Sequence, residues 1–284
     1  GGGASGGILN NCTLSGNYSW NIGGGAEGGT LNRCILSGNR ADMWGGGAYN
    51  STLNECTLIG NRGASGGGAY DSTLSDCVLT TNWASDSGGG AQGGTLTRCV
   101  LESNRCAGSV GGGGADSAVL YNSLLTGNQA LPSSLPLDEP RGGGTRNSTL
   151  INCTVVNNTA IWGGGVSGGT AINTVIFGNT ATNNPNWIDG EYAACCTIPA
   201  PSGSGNLTND PLFVAAAAGN YHLQAASPCI EAGDNSAAPG ATDLAGKPRI
   251  VFRRVDLGAY EFPAQTWYVA TNGSDAADGT SWAN

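Results

Sequence analysis

The sequence carries very little charge: only 11% of its 284 residues are Asp, Glu, Lys or Arg, and there is a single His. Acidic residues outnumber basic ones, and the formal net charge is −9. A surface that binds nucleic acid needs clustered Lys and Arg side chains to neutralise phosphates. The charge balance therefore argues against nucleic acid as a partner.

Long apolar runs, a leader peptide and zinc-ligand spacing are also missing. Because no run reaches the roughly 18 apolar residues of a membrane span, no spanning helix is predicted. The chain opens at Gly1 inside a repeat, so its start was either processed away or belongs to a longer chain. The ten Cys show neither Cys-x-x-Cys pairs nor a Cys/His cluster, which excludes the usual zinc sites.

What the sequence has in abundance is glycine, arranged in a repeat. The unit at 23–39 reads GGGAEGGTLNRCILSGN, and close copies follow at 45–61 and 88–104. Within each unit the last Gly of the run and the closing Asn are 14 residues apart, whereas the connectors vary in length. Constant blocks of this kind indicate the coils of a solenoid with a period of about 22 residues. The eight pairs are Gly3/Asn17, Gly25/Asn39, Gly47/Asn61, Gly68/Asn82, Gly90/Asn104, Gly114/Asn128, Gly144/Asn158 and Gly165/Asn179.

Glycine also selects the type of solenoid. Each Gly costs about 1 kcal/mol inside a helix, so helical repeats are excluded. Cys34 and Leu36 share one face of a strand because they are two residues apart, and Leu31, three residues before Cys34, requires a bend. Each coil is predicted to contain three short strands, with Ala26 and these three residues pointing inward. The predicted fold is all-β, a right-handed, single-stranded parallel β-helix whose coils stack about 4.8 Å apart.

The closing asparagines are predicted to form a structural ladder rather than a catalytic site. Asn tolerates the left-handed turn conformation, and stacked carboxamides can hydrogen-bond from coil to coil. The ladder comprises Asn17, Asn39, Asn61, Asn82, Asn104, Asn128, Asn158 and Asn179.

Six cysteines share one inward slot, which Ser123 and Thr174 fill in two other units. A slot that accepts Cys, Ser or Thr is small and buried, so we predict a ladder of free thiols. Disulfides between stacked coils remain the alternative, because the Cα spacing permits them. The ladder is Cys12, Cys34, Cys56, Cys77, Cys99 and Cys153, and the disulfide candidates outside it are Cys106, Cys195, Cys196 and Cys229.

The chain divides into three parts by composition. Regular coils occupy 1–179, with one proline-rich insertion at 129–141 that is predicted to be a surface loop. Residues 180–262 lose the glycine runs and gain prolines, which predicts degenerate final coils and a cap. Residues 263–284 form a separate tail.

The segment 227–262, SPCIEAGDNSAAPGATDLAGKPRIVFRRVDLGAYEF, resembles the end of bacterial secreted right-handed β-helix repeat proteins. These belong to the pectate-lyase-like superfamily, and many carry sorting domains of the choice-of-anchor kind. The GGGA and L-x-G-N units resemble, more loosely, the repeats of polymorphic outer-membrane adhesins. The resemblance implies a secreted or cell-surface protein and specifies no activity.

The tail 266–284, TWYVATNGSDAADGTSWAN, resembles the segment that begins such a domain, although here it follows the end of one. Trp267, Tyr268 and Val269 form a short strand-forming run, and the first coil is expected to present unpaired strand edges. We therefore expect head-to-tail assembly into a homo-oligomer or filament. Asp275 and Asp278 are a weak candidate calcium loop, although a plain turn is the favoured interpretation; no other cofactor is predicted.

Lyases and hydrolases on this fold use acidic clusters, with Ca²⁺ or as paired carboxylates. We compared two columns that follow the GGGA run, and in neither do two acids fall on neighbouring coils. The single histidine, His222, lies in the end segment. No catalytic residue is therefore predicted. The columns are Glu27, Tyr49, Tyr70, Gln92, Asp116, Arg146, Ser167 and Gly28, Asn50, Asp71, Gly93, Ser117, Asn147, Gly168.

Tryptophans in the connectors are candidates for a contact surface, all expected at one corner. Two interpretations remain open. The side chains bind sugar rings or a protein partner, or they fold back and cover the glycine-rich corner. These are Trp20, Trp44, Trp83, Trp162 and Trp187.

The expected function is structural: an extracellular or cell-surface module of a filament or adhesin. The alternative is a carbohydrate-binding or polysaccharide-cleaving β-helix protein.

Overall fold

The computed structural model describes residues 1–108, 111–132 and 139–263. Within them the chain winds into a parallel β-helix with about 22 residues per coil, and the predicted all-β fold is confirmed. Three parallel sheets run along the solenoid, with 16, nine and eight strands. Sheet 1 holds the GGGA strands and the Thr-Leu strands, sheet 2 the Cys-x-Leu strands, and sheet 3 the strands after the closing Asn. Sheet 3 was not predicted, because its strands lie in the variable connectors.

Sheet 1 is divided into two arms by a bend, and the arms merge where one strand spans both. The GGGA arm contains Ala4–Ser5, Ala26–Glu27, Ala48–Tyr49, Ala69–Tyr70, Ala91–Gln92, Ala115–Asp116 and Trp187–Ile188. The Thr-Leu arm contains Ile8–Asn10, Thr30–Asn32, Thr52–Asn54, Thr73–Ser75, Thr95–Thr97, Val119–Tyr121 and Glu191–Ala193. The spanning strands are Thr145–Ile151 and Val166–Ile172.

Sheets 2 and 3 complete each coil. Sheet 2 contains Thr13–Ser15, Ile35–Ser37, Thr57–Ile59, Val78–Thr80, Val100–Glu102, Leu124–Thr126, Thr154–Val156, Val175–Phe177 and Cys196–Thr197. Sheet 3 contains Tyr18–Ser19, Arg40–Ala41, Arg62–Ser65, Trp83–Ser87, Arg105–Cys106, Gln129–Ala130, Thr159–Trp162 and Thr180–Asn183.

The core is a set of columns in which like residues stack on like. Leu53 pairs in register with Leu31 and Leu74, and Leu58 pairs with Leu36 and Leu79. All of these leucines are fully buried. Burying each such side chain contributes about 1.5–3 kcal/mol, so the repeat of Leu at these two positions fixes the register of sheets 1 and 2.

The glycine runs allow backbone to pack on backbone. A Cβ built on Gly24 would lie 2.3 Å from the Gly46 carbonyl oxygen and 2.5 Å from that of Arg40, in sheet 3. No side chain fits there, so the middle residue of the run must be Gly. Sheet 3 correspondingly directs small residues inward, among them Ala41, Gly63 and Ala84.

The coils continue beyond 179, where the regular repeats were predicted to end. Trp187–Ile188 pairs with Val166 and Ser167, and Cys196 pairs with Val175, which makes a ninth coil. The chain then follows this coil: the Leu207 amide donates to the Cys195 carbonyl at 2.7 Å. The ninth coil lacks a glycine run and lies in the segment for which degenerate final coils were predicted.

The remaining segment, residues 208–263, lies along the side of the solenoid. It contains an antiparallel hairpin, Phe213–Ala215 with Asn220–Leu223, and the 3₁₀ helices Ala216–Ala218 and Asn235–Ala237. Tyr221 packs against Leu124 and Val156 on the outer face of sheet 2. Most of the predicted cap therefore covers a side face rather than the end of the solenoid.

A buried ion cluster holds this side segment together. Arg249 is 2% exposed, and its Nη2 lies 3.0 Å from Glu261 Oε1 and donates to the backbone carbonyls of Asp256 and Gly258. Asp243 and Asp256 are also buried and accept backbone N–H bonds. Three carboxyl groups thus surround one guanidinium. Burial is the main cause that raises the pKa of Glu261, to about 8, and it raises the pKa of Asp256 as well.

These raised pKa values predict that the side segment becomes less stable as pH rises. At a pH below about 4.3, the ordinary pKa of Glu, the Glu261 carboxyl is protonated in both the folded and the unfolded protein. Between there and about 8 the folded state keeps a proton that the unfolded state has lost, so the free energy of unfolding falls with pH. Urea unfolding followed by proteolysis of the side segment at pH 5.5 and pH 8.5 measures the trend.

Glu261→Gln is the matched control, because the amide mimics the protonated carboxyl. The variant is expected to be nearly neutral at the lower pH and to flatten the pH dependence. Stability of the wild-type segment that increases over this range would contradict the interpretation.

Candidate functional site

The closing asparagines lie inside the coils and hydrogen-bond from one coil to the next. Asn61 Nδ2 donates to Asn82 Oδ1 at 3.0 Å and to the Leu36 carbonyl at 2.9 Å, while its Oδ1 accepts from the amide and Nδ2 of Asn39. The same pattern links the successive asparagines from Asn17 to Asn179. The carboxamides are fully engaged in the structure and leave no group for catalysis at these positions.

Each asparagine occupies space that the last glycine of the run leaves open. A Cβ built on that glycine would lie 2.7–3.1 Å from the Asn carboxamide in all eight units, closer than real Cβ contacts. This contact explains why Gly and Asn keep a constant spacing of 14 residues. In the ninth coil Asn186 takes the glycine position, and its own Oδ1 accepts from Asn179 Nδ2 at 3.2 Å.

The cysteines of the inward slot form a second column. Cys34, Cys56, Cys77, Cys99 and Cys153 are buried, and Cys12 at the first coil is half-buried. The Cys56 thiol donates to the Leu31 carbonyl at 3.3 Å and accepts from the Cys34 amide. Ser123 accepts the same backbone bond from the Cys99 amide at 3.0 Å. The slot therefore selects a small side chain that both donates and accepts a hydrogen bond. Burial raises the pKa of the Cys153 thiol to about 12.

The four disulfide candidates are free thiols in the structure, as are the other six cysteines. Cys195 was wrongly placed outside the ladder: its thiol donates to the Ala171 carbonyl at 3.3 Å, as the ladder cysteines do. Cys106 lies in sheet 3 in register with Ala84. Cys196 and Cys229 share one apolar cluster, where the thiol of Cys196 and burial raise the pKa of Cys229.

In the two columns after the GGGA run, one ion pair joins two side chains on neighbouring coils. Asp116 is buried and lies 3.3 Å from Arg146 Nη1, and burial raises the pKa of this carboxyl. It also accepts from Ser117 Oγ at 2.7 Å. The pair links neighbouring coils through opposite charges and provides no second carboxyl for acid–base chemistry.

A third column, directly before the inward cysteines, does bring two acids together. Arg33, Glu55, Asp76 and Arg98 occupy this turn on four successive coils, each with a positive φ. Asp76 accepts two hydrogen bonds from Arg98, both 2.7 Å, so one of the two acids is already neutralised. The sequence contained this signal, one residue before each Cys, and our column comparison missed it.

The tryptophans do not share one corner. Trp20 is 75% exposed in a connector, and Trp44 stacks with Tyr49 and Tyr70 at centroid distances of 6.2 and 5.4 Å. Trp162 ends a strand of sheet 3, with Arg141 5.7 Å from its ring. Trp187 lies in sheet 1, packs against the core and donates to the Pro199 carbonyl. The prediction of one common surface is wrong for Trp187, which lies in a strand of sheet 1, whereas Trp83 and Trp162 lie in strands of sheet 3.

Trp83 begins a strand of sheet 3 and belongs to a column of arginines on its outer face. Coil by coil, the registers place Tyr18, Arg40, Arg62, Trp83 and Arg105 in line. Arg62 Cζ lies 4.1 Å from the Trp83 ring centroid, and Arg40 Cζ lies 5.7 Å from that of Tyr18, both within cation–π range. We call this set the arginine stripe. Sequence reasoning missed it because its residues follow the closing Asn, outside the repeat unit.

The remaining candidates are His222, possible metal ligands and the residues of the tail. His222 lies in the side segment with its ring 4.2 Å from that of Tyr260. Across the described residues, no three His, Cys, Asp or Glu side chains are grouped to hold a metal ion. Trp267, Tyr268 and Val269, together with Asp275 and Asp278, lie outside the described residues. No helix in the described ranges is both long and apolar enough to cross a membrane.

Comparisons with known proteins yield structural likeness only. No protein family profile and no curated protein sequence matches the chain. The solved structure of pectate lyase Pel9A is similar at 14% identity and a TM-score of 0.46, over 89% of this chain and 69% of that one. QnrB1, a plasmid-mediated fluoroquinolone resistance protein, is similar at 13% identity and a TM-score of 0.18, over 68% and 81%. Neither likeness bears on what this chain does, and the fold assignment rests on the strand registers described above.

The asparagine ladder predicts a large stability difference between two substitutions of the same kind. Asn61→Ala removes one buried carboxamide and leaves backbone groups of Asn39 and Leu36 unpaired, which should cost about 2–4 kcal/mol. Asn32→Ala removes an asparagine from an outer ladder, between Asn10 and Asn54, and should cost about 0.5 kcal/mol. Denaturant unfolding of both variants gives the comparison; equal losses would show that burial is unimportant.

The thiol columns predict that all ten cysteines titrate as free thiols in denaturant without reductant. In the native monomer only Cys12, which is half-buried in the first coil, is expected to react quickly, because the other nine thiols are buried and out of reach of the reagent. Burial also raises the pKa of the Cys153 and Cys195 thiols. Recovery of fewer than four thiols would contradict the prediction. A Cys12→Ser variant serves as the control, since it should remove the fast phase alone.

Proposed function

We propose that the protein is a non-enzymatic structural module of an extracellular or cell-surface filament or adhesin, whose coils stack end to end. The supporting observation is that successive coils join by parallel strand pairing in register along all three sheets. Within the described residues the strands Ala4–Ser5, Ile8–Asn10, Thr13–Ser15 and Tyr18–Ser19 pair on one side with the second coil, and their other side can pair in the same way with a further coil, whichever chain supplies it.

Two core residues of the first coil are less buried than their counterparts in the second coil. Leu9 and Cys12 are only partly buried, although their counterparts Leu31 and Cys34 in the second coil are 0% and 1% exposed. A further coil would pair these strands and bury both side chains. The proposal takes that coil from the tail 266–284 of another copy, in an open head-to-tail contact that grows as a fibre.

The non-enzymatic part of the proposal rests on the outer columns. Glu55 and Asp76 are the acids brought onto adjacent coils, and they stand exposed on a turn with Asp76 held by Arg98. Acid–base chemistry needs one carboxyl with a raised pKa in a shielded position. Asp116 has a raised pKa, mainly through burial, and pairs with Arg146, while Asp86 adds only a weaker repulsion.

The extracellular location follows from the resemblance of the side segment and is compatible with the cysteines. Free thiols survive an oxidising environment when burial keeps them protonated and out of reach. Nine of the ten are buried here.

A second candidate function, carbohydrate binding without cleavage, has one observation in its favour. The arginine stripe presents cationic and aromatic side chains in a row along the solenoid. This surface lies on sheet 3, and of its residues only Tyr18 belongs to the first coil, so both functions can coexist.

Two substitutions on the first coil test the assembly. Leu9→Lys places a charge in the open core end and should abolish end-to-end association, whereas Ile8→Lys, on the outward side chain that is 72% exposed, should leave it intact. Analytical ultracentrifugation measures the assembly state, and electron microscopy of any fibres should show an axial repeat on the order of 40–50 Å per subunit. A wild-type protein that stays monomeric at high concentration, or fibres equally sensitive to both substitutions, would refute the proposal.

A further inference from the structure

Asparagine occupies the same turn on three successive coils, where the side segment crosses the solenoid. Asn122, Asn152 and Asn173 directly precede the inward slot on coils six, seven and eight, and each is fully buried with a positive φ of 48–53°. Asn122 Nδ2 donates to the Pro239 carbonyl at 3.2 Å. Asn173 Nδ2 donates to the Asp234 carbonyl at 2.9 Å, and its Oδ1 accepts from the Asp234 amide at 2.7 Å. The two outer carboxamides therefore attach the side segment directly to the solenoid.

The middle carboxamide has no such partner. Within the described residues neither Oδ1 nor Nδ2 of Asn152 makes a hydrogen bond, and Asn122 Oδ1 is also unpaired. On the side segment Arg249 is 2% exposed, and its Nε and Nη1 are unpaired although its Nη2 donates to two backbone carbonyls. Burial raises the pKa of the Cys153 thiol and the Arg249 charge opposes this rise, so the guanidinium lies near the peptide that joins Asn152 to Cys153.

Buried polar atoms without partners are rare in folded proteins, so this group of atoms points to a bound molecule. The unpaired atoms are donors on Arg249 and Asn152 and acceptors on Asn152 and Asn122. A ligand that satisfies them must both accept and donate hydrogen bonds. The three carboxyl groups of the buried ion cluster already surround the guanidinium, and they would repel an anion, whereas the guanidinium itself would repel a cation. The ligand is therefore small, polar and uncharged.

The joint has room for a small molecule beside Asn122. Gly240 lies against this carboxamide with a φ of 82°, and a Cβ built on it would meet Asn122 Nδ2 at 3.6 Å and no other heavy atom within 4 Å apart from its chain neighbours. Space for at least a methyl group thus remains at this edge. Gly240 is itself exposed, so solvent reaches the edge of the joint.

We propose that ordered water binds between Arg249, Asn152 and Asn122 and completes the joint between the side segment and the solenoid. Water carries no charge and both donates and accepts hydrogen bonds, as the unpaired atoms require. Coils repeat about every 4.8 Å, whereas the side segment is irregular, so its polar groups do not meet all three asparagines directly. Direct bonds on coils six and eight and water on coil seven accommodate this mismatch. The site is independent of the proposed assembly.

A crystal structure of the wild-type protein tests the proposal. Density for water should lie about 2.7–3.2 Å from Nε or Nη1 of Arg249 and from a carboxamide atom of Asn152. Crystals grown in sodium bromide should show no anomalous peak at this position, because the neighbouring carboxyl groups exclude anions. A direct bond between Arg249 and Asn152 with no water between them, or a bromide peak beside the guanidinium, would overturn the proposal.

Magnetic relaxation of the water oxygen nucleus counts long-lived internal water in solution. Asn152→Leu replaces the unpaired carboxamide by an apolar group of similar size and should lower this count, whereas Asn157→Leu should leave it unchanged. Asn157 is the matched control because its φ is 57°, against 53° for Asn152, and its Nδ2 donates directly to Tyr221 of the side segment at 2.9 Å. An equal loss in both variants, or no loss in Asn152→Leu, would contradict the proposal. If Asn152→Leu does not fold, the wild-type crystal structure decides.

Discussion

The contact between the last glycine of each run and the closing asparagine is the constraint on which the rest of the coil depends. Gly47 leaves the space that Asn61 fills, and Asn61 in turn closes the end of sheet 2 by hydrogen bonds to both neighbouring coils. Neither partner can change alone, because a Cβ would strike the carboxamide and a missing carboxamide would leave buried backbone groups unpaired. The 14-residue block between them is therefore fixed, and length variation is confined to the connectors.

Packing beyond the coils depends on a segment far away in sequence. On the outer face of sheet 2, Ile35 and Val78 are 44% and 37% exposed, while Leu124 and Val175 in the same column are 6% and 0% exposed. The side segment makes the difference: Gly258 and Ala259 bond to Asn173 and Thr154, more than 80 residues earlier. The cover reaches only the later coils, so the earlier coils keep an open sheet face.

The repeating part of this fold was predictable because each rule acts within one coil or between adjacent copies. The Cys34 and Leu36 spacing gave the sheet 2 strand, and the Gly and Asn spacing gave the coil. Sheet 3 was missed because residues such as Arg62 and Trp83 sit in connectors whose lengths differ. The ninth coil falls among the predicted degenerate coils, but its course could not be predicted because Asn186 replaces the expected glycine. The buried carboxamide contact is kept at this position although the glycine of the repeat is not.

The division between inner and outer columns also indicates where function is to be found. Inward positions repeat Leu, Cys, Ala and Asn because a buried slot admits few side chains, and their regularity reports on stability alone. Outward side chains are not restricted by packing. A column of similar outward side chains therefore requires a cause other than the stability of the core. The turn column places Glu55 and Asp76 between Arg33 and Arg98, and Arg98 pairs with Asp76. The sheet 3 column instead places Arg62 and Arg105 on either side of Trp83, two coils apart, and neither forms an ion pair in the described residues. An outward column whose charges are not paired within the molecule has no structural cause of its own, so such a column is where a contact with another molecule should be sought.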